Sequence, residues 1–453
     1  MLFNSLTFFA LFLPTLALYW LMPWQRARLA LLFVVSLVFY SYFHWPSVFL
    51  LLFTITFNYA LAVLARRSRA ALVLAISVNL SLLLWFKYAA FIADNINALL
   101  SLAGAHWAVQ RPPAFLPLGI SFFTFQVIAY QVDVYRGEIA AERSFLRFAV
   151  FKSFFPQLIA GPIVRAHDFL PQLGSRRAFD AGLFHHGLWL VLAGLALKIG
   201  VADVLAQFAN QAFRDPAALS TSGAWSGLYA YAFQLFADFW GYSTIAVGLA
   251  AMFGLSLPLN FDTPYFSSSL QEFWRRWHIT LSLWFRDYVY IPLGGSRSQL
   301  ARNLLLTMGL AGLWHGAGWT FVLWGIGHGL WLLAERYAPA WPLPGHRVVQ
   351  IIKTLLVFHG VCLLWVLFRA PTLEVAREYF ARLLWPHEGT GTPGVLMNWL
   401  VMIAIAQWPL AWTFKERRFP ELPFKRQWLL AAACVYFILA YAGARVDFIY
   451  FNF

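Results

Sequence analysis

The chain has 453 residues, 61% apolar and 11% charged, a balance that leaves too little polar surface to cover a water-soluble globule of that size. Apolar runs of about 18 to 25 residues, the length that crosses a hydrocarbon core, recur throughout, and the alternating pattern of a membrane barrel is absent. The formal charge of +14 is concentrated in short connections such as Arg66-Arg67-Ser68-Arg69 and Lys415-Glu416-Arg417-Arg418, which fits a positive-inside bias and contact with the headgroups of membrane lipids and gives no support to nucleic-acid binding. Cys362 and Cys434, the two cysteines, sit inside apolar runs, so no disulfide framework, metal–thiolate site or CxxC pair is supported. The expectation is a single all-α, polytopic membrane domain over residues 1–453.

The first span runs over about Leu2–Met22 and is read as retained, because it lacks a basic flank and a cleavage site. It is followed by Arg26 and Arg28; a second span covers Leu29–Trp45, and a third ends at the Arg66–Arg69 cluster. Arg-rich first and third connections place them in the cytoplasm and the amino terminus outside. The fourth span carries Lys87, which either snorkels to an interface or faces an internal cavity. Pro117–Glu138 holds Ser121, Thr124, Gln126, Gln131 and Asp133, too many polar groups to face lipid. Phe154–Arg165 contains two prolines and a glycine, and such a break survives at membrane depth only inside protein or beside water, which predicts a re-entrant segment. A further crossing, Leu183–Val201, opens with His185-His186, read as interfacial, and carries Lys198.

Ala224–Phe253 contains Asp238, which needs a partner at mid-span. Leu257–Arg302 is not apolar enough for an ordinary span and reads as helices at or dipping into the cytoplasmic face. Asn303–Ala334 is apolar again, broken at His315-Gly316-Ala317-Gly318, and crosses once or folds back. Spans at Ile351–Phe368, Val395–Phe414 and Trp428–Ala442 follow, with an amphipathic stretch at Leu373–Leu384 and a Gly/Thr/Pro loop at Gly389–Gly394. The charge rule gives about eleven or twelve crossings.

Two histidines attract attention among the chain's eleven. His44, His106, His167, His346 and His387 fall in connections, and His359 reads as a packing residue. His315 lies in LWHGAG, where glycines leave room beside the imidazole and Trp314 and Trp319 offer apolar walls. A neutral histidine there suits a general base acting on a hydroxyl. Bonding two helices together is the structural alternative. His278, in WRRWHITLS, shares a basic, aromatic segment with Arg275, Arg276 and Arg286; it fits either an interfacial helix or a surface for the phosphates and purine of coenzyme A. His328 follows thirteen residues after His315 and could face the same cavity. HExxH, HxxEH and paired-carboxylate metal motifs, a Gly-x-Ser-x-Gly elbow and a P-loop are all missing, so no metal or permanently bound cofactor is expected.

The segments FKYAAFIADNIN, PLGISFFTFQVIAYQVDVYRGE, FFPQLIAGPI, ADFWGYSTIAVGLA, PLNFDTPY, EFWRRWHITLSLWFRDYVYIPLGGSR, GLWHGAGWTFVLWGIGHG, LWVLFRAP and FIYFNF together resemble the membrane-bound O-acyltransferase (MBOAT) superfamily, in particular its bacterial branch of alginate O-acetyltransferase membrane subunits and teichoic-acid D-alanyl transferases. The resemblance covers nearly the whole chain. It implies a ring of tilted helices around a thin central floor with funnels to both sides, and a catalytic segment at about 257–336. It also implies His315 as catalytic base and His278 as the second signature histidine, with Arg275, Arg276 and Trp314 beside them and Asp238 and Asn260 as supporting polar residues. The implied chemistry is transfer of acetyl from acetyl-CoA at the bacterial inner membrane. The acyl group then passes to a periplasmic SGNH-hydrolase-like protein of a polysaccharide-secretion machinery. D-alanyl or peptidoglycan transfer is the alternative within the fold; a flippase for lipid-linked sugars or a scaffold is the alternative outside it.

Overall fold

A computed structural model describes residues 1–113, 115–159, 161–338, 347–391 and 422–443, with Val446 and Phe448. Its internal contacts divide the chain into two units, Met1–Gly187 with Leu249–Pro258, and Leu188–Gly248 with Leu259–Phe453. The architecture is all-α. Five described helices are long and apolar enough to cross a membrane: Ser47–Ala65, Arg69–Leu102, Ala181–Arg214, Thr221–Met252 and Arg347–Arg369. The expected span at Val395–Phe414 and His346 lie outside the described residues.

The first unit contains α1 (Leu6–Leu21), α2 (Gln25–Ser41), α3 (Ser47–Ala65), α4 (Arg69–Leu102), α5 (Ile120–Arg136) and α6 (Phe145–Ser153). Ser5, Ser68 and Ser144 cap α1, α4 and α6, each hydroxyl accepting from a first-turn N–H that has no partner within the helix. The polar residues of α5 are buried as expected. Gln131 donates to the Asn58 carbonyl at 2.8 Å, and the Asn58 and Asn79 amides exchange hydrogen bonds at 3.1 and 2.9 Å, tying α3, α4 and α5 where lipid offers no competing partner. Lys87 lies in a π-turn of α4 and points to Ser121 Oγ at 3.4 Å, which favours the inward reading over snorkelling.

The break after α6 is present and internally compensated. One helical turn, Phe155–Leu158, follows Ser153, and the Phe151 carbonyl accepts from Gln126 at 3.0 Å and Gln157 at 2.5 Å. Two expectations for this unit need correction. Arg28 is a core residue, not a loop charge: its guanidinium donates to the Met22 and Arg177 carbonyls and lies over Tyr19 and Trp20. His186 is buried, with only His185 exposed, because neighbouring positions on a helix point about 100° apart.

The second unit holds most of α7 (Ala181–Arg214) and α8 (Thr221–Met252), then α9 (Leu270–Arg276), α10 (Ile279–Phe285), α11 (Leu300–His315), α12 (Trp319–Tyr337), α13 (Arg347–Arg369), α14 (Leu373–Leu384) and α15 (Phe424–Tyr441). Leu257–Arg302 contains no span-length helix, as its composition requires. Asn303–Ala334 folds back: α11 and α12 form a hairpin in which Gly312 lies against the Phe321 carbonyl and Gly325 against the Met308 carbonyl. These are the small-residue contacts that let membrane helices approach closely.

Candidate active site

His278 lies between α9 and α10 in a left-handed conformation, φ 40° and ψ 55°, which costs a residue with a side chain about 1–2 kcal/mol. Asn260 holds it there. The Asn260 backbone carbonyl accepts from Ile279 N–H at 2.9 Å, and its side-chain oxygen accepts from Thr280 N–H at 3.3 Å and Thr280 Oγ1 at 2.7 Å. The Asn260 amide donates to Ser243 Oγ on α8 at 3.3 Å. Asn260 therefore acts as the missing cap of α10, and Asp262 N–H to the Arg276 carbonyl closes the turn from the other side.

His315 is the last residue of α11, at the closed end of the hairpin, and is 2% exposed; His278 is fully buried. Their ring centroids are 6.4 Å apart. Even with nitrogens turned toward each other the gap is about 4 Å, too long for a direct hydrogen bond and suited to one oxygen atom held by both. Aromatic rings enclose the pair. Trp314 meets His315 edge-on at 4.9 Å and lies 5.9 Å from His278; Trp324 and Phe368 meet His315 at 5.2 and 5.1 Å, and Phe239 meets His278 at 4.5 Å. Such walls exclude water from a reactive acyl group.

His328 belongs to the same cluster. Its ring lies 4.8 Å from Trp324 and 5.1 Å from Trp274, is fully buried, and has no hydrogen-bond partner for either ring nitrogen among the described residues.

Several expected neighbours sit elsewhere. Trp319 is 54% exposed and forms no wall. Gly316 opens no space for substrate, because a Cβ there would collide with the Phe321 ring, which packs on Phe368. Arg275 is exposed, and Arg276 pairs with Glu272 at 2.6 Å and donates to Thr263 at 3.3 Å. Asp238 has its partner in Lys198, at 2.9 Å. Phe239, Trp324, Phe368, Thr280 and Ser243 went unnoticed in the sequence, where aromatic and hydroxyl residues are too common to single out. A cavity of about 770 Å³ in this unit is lined by Tyr290, Arg336 and Lys353 together with Leu304, Trp331 and Leu356.

The all-α membrane fold and the matches to known proteins place this chain in the MBOAT, membrane-bound O-acyltransferase family, whose profile matches residues 137–342; it is a multi-pass membrane O-acyltransferase. Among its relatives is a protein of Pseudomonas aeruginosa named "Probable alginate O-acetylase", 43% identical over 391 residues, 83% of this chain and 73% of the relative. The peptidoglycan O-acetyltransferase of Helicobacter pylori is 37% identical over 417 residues, covering 83% and 78%. The teichoic acid D-alanyltransferase of Streptococcus thermophilus is 30% identical over 282 residues, covering 55% and 68%.

Proposed function

We propose that this enzyme moves acetyl groups from cytoplasmic acetyl-CoA, at the bacterial inner membrane, toward an exported polysaccharide of the alginate type. The observation that carries the reading is the pair His278 and His315, buried 6.4 Å apart among aromatic rings. His315 takes the proton of the acceptor hydroxyl as its oxygen attacks the thioester carbonyl carbon. The C–S bond then breaks, and the same proton passes to the departing thiolate. His278, fixed by Asn260, holds the reacting oxygen from the other side.

The cavity beside Arg336 and Lys353 suits a donor site, with cationic groups for phosphates and leucines for the pantetheine arm; Glu335, whose carboxylate accepts from the Leu270 and Gln271 N–H groups, is the acidic residue of its lining. Its basic rim agrees with a cytoplasmic aspect. The acetyl group leaves on the outer side to a periplasmic SGNH-hydrolase-like protein that completes transfer. The test is acetylation of the cell's exported polymer, and label transfer from radioactive acetyl-CoA by isolated membranes, with His315→Ala against wild type. Loss of both with normal insertion supports the reading; wild-type acetylation refutes His315 as base, and transfer from a protein-bound D-alanyl thioester alone refutes the donor.

A further inference from the structure

A second buried polar cluster lies in the same unit. Lys198 sits in a π-turn of α7, Ala196–Ala202, and its Nζ approaches Asp203 Oδ1 at 2.6 Å, Asp238 Oδ1 on α8 at 2.9 Å and the Val446 carbonyl at 3.0 Å. The three side chains are 4%, 1% and 2% exposed. An ammonium has three N–H donors, and here each has an acceptor, the third being supplied by the backbone of a segment remote in sequence. Burying such charges is costly, and well-packed apolar residues would serve stability as well; the cluster is better explained by what it holds.

What it holds reaches the histidines. Phe448, two residues beyond Val446 and fully buried, stacks on Tyr242 at 4.3 Å and lies 6.2 Å from Phe239. Both rings belong to α8, one and four positions after Asp238. Phe239 is the ring that meets His278 edge-on at 4.5 Å. The preceding helix rests on the same turn, since a side chain at Gly200 would strike Phe437 of α15.

We propose that Lys198, Asp203 and Asp238 form an ionic clip that fastens the backbone at Val446, and with it Phe448, onto α7 and α8, and that Phe448, through Phe239, sets the position of His278. Lys198 is then a positioning residue for acyl transfer. This rests on the reading of His278 and His315 as the reacting pair.

The test is a double-mutant cycle on the full chain in membranes, with rates normalised to correctly folded protein. Phe448→Ala leaves the charges intact and Lys198→Met opens the clip; each is expected to lower kcat by at least about tenfold with little change in KM for the donor, and to move the pH–rate profile. The double variant is expected to be no slower than the worse single variant, because both act through one segment. Should Lys198→Met fail to fold, the triple replacement Lys198→Met, Asp203→Leu, Asp238→Leu removes these three charges together. Wild-type kcat in Phe448→Ala, multiplicative effects in the cycle, or an unmoved pH profile overturns the clip. An active His315→Ala variant overturns the reading of the reacting pair instead, so the two failures are told apart.

Discussion

Replacing Asn260 by alanine tests how the site is held. The change removes one backbone and one hydroxyl hydrogen bond at Thr280 and the amide bond to Ser243. Thr280 N–H is in the first turn of α10, where no intrahelical acceptor exists, and Thr280 is buried. Leaving it unpaired costs about 1–3 kcal/mol, while the two hydroxyls can turn elsewhere at about 0.5–1 kcal/mol each, so the expected loss of stability is about 2–5 kcal/mol. The larger consequence is local. The left-handed His278 holds about 1–2 kcal/mol of strain that Asn260 helps to contain, and its release would move the imidazole by an ångström or more. Misplacement on that scale costs about 100-fold in rate. The assay is acetyl transfer by purified protein beside a thermal-stability measurement; kcat should fall by that order with KM nearly constant. Asn260→Asp keeps both acceptor bonds to Thr280, and the Ser243 hydroxyl can donate to the new carboxylate, so its geometry and much of its rate should survive. Wild-type kcat in Asn260→Ala would refute the role of Asn260 in positioning His278.

Other outcomes follow from the same contacts. His315→Ala should lose about 10²–10⁴-fold in acetyl transfer while retaining its melting temperature within a few degrees, read by parallel activity and unfolding measurements. Gly312→Val places a Cβ against the Phe321 carbonyl and should destabilise the α11–α12 hairpin by about 1–3 kcal/mol or more, whereas Gly309→Ala, with its nearest contact at 3.8 Å, should gain about 1 kcal/mol from helix propensity; melting curves of the pair check this. Asn79→Leu should cost about 0.6–2 kcal/mol, judged by chemical unfolding in detergent, because it breaks the mutual amide bonds with Asn58.

Much of the architecture was legible because membrane folding imposes rules that act locally. Breaks at Phe154–Arg165 and at His315–Gly318, the buried polar face of Pro117–Glu138 and the amphipathic Leu373–Leu384 all carried compositional signals. The clip did not. Lys198 and Asp203 are five apart, a spacing that on an ordinary α-helix puts them on different faces; the π-turn brings them together. No pattern in the residues announced that turn.

The amino-acid sequence by itself determined that the chain is an all-α membrane protein, where its apolar runs are interrupted, and that His278 and His315 stand apart from the other histidines. These follow from hydropathy, charge and motif, properties read along a few adjacent residues. Only the tertiary structure decided that Asn260 caps the turn at His278, that Phe321 fills the space beside Gly316, that Trp319 is exposed while Trp324 contacts both His315 and His328, and that Asp238 pairs with Lys198. Each of these depends on helix phase and on the closing of a hairpin or a π-turn, which set the direction of a side chain and are fixed by packing between distant segments.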